Sequence, residues 1–218
     1  MVEIIPAILT TDINEVREKL ARAEGICKRV QIDIIDGVFV QNRTVDPSAL
    51  EMVETDLALD FHLMTKEPAL WVERAVRGGA DRVIGQIEKM ASQVDFVGKV
   101  QSIGLSVGLA LDIETPVSDL DPTILGSLDV VLLMAYPAGF GGQPFDARVL
   151  TKIEVLDEMR AKDDTPFRIC VDGGETTSTI DNTHLAGADE VVIGKRIFDG
   201  DLTRNIELFQ EAAHRLKK

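Results

Sequence analysis

Cysteine is scarce in this chain. Only Cys27 and Cys170 occur in 218 residues, and neither sits at metal-ligand spacing, so neither a disulfide framework nor a zinc site is expected from them. Both are expected as small buried apolar side chains. Long apolar runs are absent too. The longest, such as residues 128–134, fall well short of the ~20 residues that cross a bilayer, and the N-terminus lacks a basic region followed by an apolar core. A soluble, cytoplasmic protein with no membrane partner is expected. Basic stretches are missing apart from Lys217 and Lys218, and the formal charge is −14. That charge repels a phosphate backbone, so nucleic acid is not an expected partner. It also disfavours any anionic small molecule unless a local device holds it, which directs attention to glycine-rich turns and helix starts.

What is present is 45% hydrophobic and 28% charged, a balance that builds one sizeable core and leaves little for disorder. One domain over residues 1–218 is expected. Short β-branched or aliphatic runs recur at 3–7, 29–34, 58–63, 82–87, 106–111, 129–134, 167–171 and 190–193, which makes eight candidate strands. Between them apolar residues stand three or four apart, as in Val16, Leu20 and Ala23 or Leu70, Val72 and Ala75, the period of amphipathic helices. Thr11 with Asp12, Asp46 with Pro47, and Glu67 with Pro68 read as the starts of the first three helices; Gly25, Gly78, Gly79 and Gly104 read as stops. Strand starts fall roughly 23 to 29 residues apart, with a wider gap at the sixth loop. Eight strands alternating with eight helices is the pattern of an α/β protein closed into a (β/α)8 TIM barrel; a doubly wound sheet is the alternative.

In such a barrel the site lies where strands end. Those ends carry Ala7, Gln31 with Asp33, His62 with Met64, Gln86 with Glu88, Asp112, Met134 with Tyr136, Asp172, and Gly194 with Lys195. Alternation puts Gln31 with Asp33, and His62 with Met64, on one face of each strand. Asp33 and Asp172 end strands two and seven, on roughly opposite sides of the mouth. There they either cap loops or act as acid and base on opposite faces of one substrate carbon beside a ketone. Asp36, next to Gly37, reads as a turn residue. His62 is one of three histidines; it is either a hydrogen-bonded structural group or, with the two aspartates, part of a site for zinc, iron or manganese. Gly139, Phe140, Gly141 and Gly142 follow strand six, Gly173 and Gly174 follow Asp172, and Gly194 precedes Lys195. Glycines let backbone N–H groups approach an anion closely, so three such loops side by side read as a phosphate grip; singly, each is a tight turn. Lys195 and Arg196 either meet that anion or are solvated surface charge.

This ordered set resembles the ribulose-phosphate 3-epimerase family. The resemblance rests on Pro6-Ala7-Ile8-Leu9, the stretch from Asp33 through Asp36-Gly37 to Val40, His62-Leu63-Met64, Gly139-Phe140-Gly141-Gly142-Gln143 and Val171-Asp172-Gly173-Gly174, in family order over most of the chain. It implies a phosphate-binding barrel, epimerisation at C3 of a ketose phosphate such as ribulose 5-phosphate, and a divalent metal (Zn, Fe, Mn or Co). By residue, it implies Asp33 and Asp172 as proton carriers and metal ligands, His62 as a further ligand, and Met64 and Met134 lining the pocket. A phosphorylated ketose and further copies of the chain are the expected partners. The sequence departs from the family pattern at five positions: Ala7 stands for serine, Gln31 for a ligand histidine, Ile35 for methionine, Gln86 for histidine, and Lys195 for a small residue. A hexulose phosphate epimerase and a noncatalytic sugar-phosphate-binding barrel are the alternatives.

Overall fold

Strands that are apolar on both faces form a parallel sheet whose outer side is covered by helices. The structure is a computed structural model that describes residues 1–162 and 166–215; Lys217 and Lys218 lie outside them. The strands are β1 (Glu3–Ile8), β2 (Arg29–Ile35), β3 (Ala58–Met64), β4 (Arg82–Gln86), β5 (Ser106–Leu111), β6 (Val130–Met134), β7 (Arg168–Asp172) and β8 (Glu190–Ile193). All neighbours pair in parallel, and β8 pairs back onto β1, closing a (β/α)8 barrel rather than an open doubly wound sheet. Each strand agrees with its expected run to within two residues.

Outward side chains such as Val30, Ile32, Ile34, Phe61, Leu63 and Val83 pack under the helices. Inward ones, among them Ile5, Ile84, Leu132, Cys170 and Val192, fill the barrel. At the N-terminal end of the strands the inward positions are charged instead. Glu3, Arg29, Asp60, Arg82, Glu190 and Arg168 form a closed ring of ion pairs, with Arg82 Nη2 2.5 Å from Asp60 and 2.7 Å from Glu190. Three cations and three anions cancel there, so the ring carries no net charge.

The helices are α1 (Ile13–Ala23), α2 (Val72–Arg77), α3 (Gln93–Ser102), α4 (Arg148–Arg160), α5 (Ile180–Ala186) and α6 (Leu202–Ala213). Asp12 caps α1 by accepting from the Asn14 N–H, as its position predicts. The expected alternation of eight helices is corrected at two places among the described residues. After Asp46 and Pro47 there is a single 3₁₀ turn, Pro47–Leu50, with Asp46 accepting from the Ser48 N–H. Between β5 and β6 there are only the turns Val117–Asp119 and Leu125–Ser127. Pro116, Pro122 and Gly126 interrupt any longer helix there. Glu67 does precede a turn, Pro68–Leu70, but in left-handed backbone and without a side-chain cap, and α2 begins only at Val72. Cys170 is buried as expected, whereas Cys27 is only half-buried. No described helix is long and apolar enough to cross a membrane.

Candidate active site

β2 and β3 pair with Asp33 opposite His62, and β6 pairs with β7 with Met134 opposite Asp172. This register brings Gln31, Asp33, His62 and Asp172 to one buried place at the C-terminal end of the barrel. Gln31 Nε2 donates to Asp33 Oδ1 at 2.8 Å and to Asp172 Oδ2 at 2.7 Å. His62 Nδ1 lies 3.4 Å from the first of these oxygens and 3.7 Å from the second. It is buried and has no hydrogen-bond partner. Burial, and then the neighbouring Asp33 charge, push the Asp172 carboxyl well above the usual carboxylate range, against the pull of His62 and Gln31.

One ligand atom from each of Asp33, His62 and Asp172 lies within 4.8 Å of the others. Two carboxylate oxygens and an otherwise unpartnered imidazole nitrogen facing one point suit a divalent cation. Gln31 presents its nitrogen to that point. A half-turn of the amide would present Oε1 instead, so the residues present fit a metal once Gln31 has turned.

A cavity of about 840 Å³ opens above the carboxylates. Asp33, Asp172, Gly141, Gly142, Gly173, Gly174, Gly194 and Lys195 all line it, so the proposed proton carriers and most of the glycine loops share one space. A side chain built at Gly141, Gly142 or Gly194 meets no atom within 4 Å, which leaves those backbones open to a ligand. Gly139 and Phe140 are placed elsewhere. Gly139 packs against Val40 and its carbonyl accepts from the Asn42 amide, tying the β6 loop to the β2 loop, while Phe140 is half-exposed to solvent. Met64 and Met134 lie in the buried cluster beneath the mouth. Asp36 is the turn residue its sequence suggests. Against the upward push of burial, the N–H groups of Phe39, Lys66 and Val38 hold its carboxyl below the ordinary value.

Residues not singled out as site residues from sequence complete the cavity. Lys19 and Arg22, on α1, bring cations to the wall by Lys195 and Arg196; at helical spacing they read as an ordinary solvated face. Lys19 pairs with Glu15 at 2.6 Å, and Arg22 donates to the carbonyls of Phe198 and Gly200. These four cations stand among Glu15, Glu175 and Asp199 in the same wall. Glu175 is buried behind the Gly173–Gly174 turn and accepts from the hydroxyls of Thr179 and Thr183, with burial raising its carboxyl to about 6. Tyr136 lines the mouth beside the carboxylates. Burial, then Asp172 and Asp33, hold its phenol far above the usual value.

The pattern of the ribulose-phosphate 3 epimerase family matches residues 3–198. Among curated proteins, the ribulose-phosphate 3-epimerase of Bacillus subtilis (strain 168) is 34% identical over 205 residues, 91% of this chain and 93% of that one. That of Treponema pallidum (strain Nichols) is 33% identical over 202 residues, 91% and 92% of the two chains. Among solved structures, 3-hexulose-6-phosphate synthase from Salmonella typhimurium superposes with a TM-score of 0.63 at 14% identity, covering 97% of this chain and 98% of that one, a likeness of fold.

Proposed function

Given that the chain belongs to the ribulose-phosphate 3-epimerase family, we propose that it interconverts D-ribulose 5-phosphate and D-xylulose 5-phosphate by two-aspartate proton transfer at C3. Membership makes the chain an isomerase of the epimerase class; the substrate and the residue roles are our reading. The observation that carries it is the pair Asp33 and Asp172, brought from β2 and β7 to line one cavity beside the glycine loops. The phosphate sits among Gly141, Gly142, Gly174, Gly194 and Lys195, where backbone N–H groups stand beside the Lys195 ammonium. That grip fixes C3 between the carboxylates. One carboxylate, ionised, takes the C3 proton; the other, protonated, returns a proton to the opposite face and inverts the centre. In the reverse direction the roles exchange. Two buried acids this close resist being ionised together, which favours the singly protonated pair the reaction needs. Asp33, His62 and Asp172 would hold a divalent cation (Zn, Fe, Mn or Co), with Gln31 or water in the fourth position, and its contribution when bound is Lewis acidity toward the ketone oxygen.

The test is incubation of the metal-supplemented protein with ribulose 5-phosphate in deuterated water, scoring exchange at C3 and inversion separately. Asp33→Asn and Asp172→Asn should each lower epimerisation at least ~10²-fold while sugar-phosphate binding persists. Either variant should still exchange the proton on the face its remaining carboxylate serves. Exchange with a hexulose 6-phosphate alone would move the substrate to the longer ketose. No exchange with any ketose phosphate, with binding intact, would make the chain a noncatalytic sugar-phosphate-binding barrel.

A further inference from the structure

One polar side chain in the cavity wall is not used by the two-carboxylate scheme. Tyr136 is the only tyrosine in the chain. It stands two residues past Met134, so it continues the inward-facing series Val130, Leu132, Met134 beyond the end of β6. Its ring packs on the backbone of Gly173. A Cβ added there would stand 2.5 Å from ring Cε1 and 2.8 Å from Cδ1 and Cζ. Only glycine, in its positive-φ conformation, leaves room for the ring directly beside Asp172. The ring body is partly buried against the inner apolar cluster, and the residue shares the cavity with Ala7, Asp33 and Asp172. Among the described residues nothing hydrogen-bonds to the phenol oxygen.

Loss of a proton from C3 moves negative charge onto the C2 oxygen, which a hydrogen-bond donor stabilises alongside any cation held by the acid pair. Around the carboxylates Ala7 and Val192 offer none. Gln143 spends its amide hydrogens on the carbonyls of Pro137 and Phe140. Lys19 is paired with Glu15, and Arg22 is held by carbonyls. Lys195 stands at the phosphate end. Arg196 donates to the Glu175 carbonyl, and His62 Nδ1 faces the two carboxylates at the candidate cation point. Tyr136 is left as the unengaged side-chain donor in the cavity wall next to the acid pair.

We infer that Tyr136 is a third catalytic group, whose hydroxyl donates a hydrogen bond to the C2 oxygen of the ketose phosphate as the C3 proton leaves. The inference rests on the epimerase reading above. It assigns no proton transfer to the phenol. The hydroxyl keeps its proton throughout and strengthens an existing hydrogen bond as charge develops.

Tyr136→Phe keeps the ring and its packing on Gly173 and removes only the donor. The variant should keep its thermal midpoint, lose about 10²-fold in kcat, and change KM for ribulose 5-phosphate by less than about threefold. An unchanged kcat, or a raised KM with kcat intact, overturns the role, since the first is a packing residue and the second a ground-state contact. A binding measurement decides the matter without turnover. A phosphorylated hydroxamate of matching length is planar and mimics the enediolate; by calorimetry Tyr136→Phe should bind it at least ~10-fold more weakly than the unaltered chain, with inorganic phosphate bound equally by both. Equal hydroxamate affinity overturns the inference. If the unaltered chain shows no C3 exchange, it is the epimerase reading that falls, and the hydroxamate comparison still decides whether Tyr136 is a donor to a planar anion.

Discussion

At the scale of single residues, position 31 controls what the acid pair can hold. Gln31 donates to the same two carboxylate oxygens that a cation would take. A cation therefore has to displace two hydrogen bonds, of which the one to the ionised carboxylate is worth about 1.5–3 kcal/mol, and turn the amide before Oε1 can serve. An amide oxygen is also a poorer zinc ligand than imidazole. Gln31→His removes both obstacles, so affinity for Zn²⁺ or Mn²⁺ measured by calorimetry should rise at least ~10-fold, in line with the weight of a ligand contact, and C3 exchange should rise with it. No gain in affinity would show that the three converging atoms do not hold a metal. The four residues involved were legible in the sequence because Asp33, His62 and Asp172 stand at or near the C-terminal ends of their strands, and alternation puts Gln31 on the same face as Asp33. Tyr136 was placed with Met134 at a strand end but given no role, because its position depends on Gly173 from another strand's loop. Lys19 and Arg22 escaped for a different reason, since on an amphipathic helix a site-facing cation and a solvated one have the same spacing.

At the scale of elements, the eight strands were readable because a parallel strand buried on both faces is a short continuous apolar run with little else it can become. The helices were less so. Their starts are signalled by Asp46 and Glu67 as clearly as by Asp12, yet after Asp46 the chain makes only the 3₁₀ turn Pro47–Leu50, and the prolines after β5 interrupt any longer helix there. The loops after β6, β7 and β8 are the elements that carry the phosphate reading, and they can be tested with little risk to the fold. Gly174 is a poor choice for substitution, because a Cβ there would stand 2.4 Å from the Phe145 nitrogen. Gly141 is a better one. It is outside the left-handed region, nothing lies within 4 Å of its added Cβ, and it lines the cavity. Gly141→Leu should weaken inorganic phosphate and ribulose 5-phosphate binding together by at least ~10-fold, as an obstructed anion site loses on the order of 1.4 kcal/mol or more, with the thermal midpoint held. Unchanged affinity for both ligands would place the phosphate elsewhere.

At the scale of the whole molecule, the two ends of the barrel treat charge in opposite ways. The mouth keeps two carboxylates together with no cationic side chain bonded to them, in a cavity whose cations, Lys19, Arg22, Lys195 and Arg196, share the wall with Glu15, Glu175 and Asp199. The floor spends three arginines on three acids and is neutral. Arg82 is the hinge of that floor: it is 4% exposed and joins Asp60 on β3 to Glu190 on β8, themselves 0% and 1% exposed. Arg29, half-buried, and Arg168, exposed, reach the same acids from their flanks. Removing Arg82 leaves two carboxylates out of water with weaker, one-sided partners. Arg82→Met keeps the volume and removes the charge, so it should cost about 3–5 kcal/mol of unfolding free energy, which for a chain of this length lowers the thermal midpoint by roughly 10 °C. Denaturant titration measures it directly, and a loss under about 1 kcal/mol would mean that the ring is decorative. Adding Asp60→Asn and Glu190→Gln to Arg82→Met should recover part of the loss, because the penalty comes from stranded charge more than from the missing attraction. C3 exchange measured well below the lowered midpoint should be unaffected in all of these variants, since the floor lies at the opposite end of the strands from Asp33 and Asp172. A fall in exchange with the fold intact would instead show that the ring sets the geometry of the acid pair through β2 and β7.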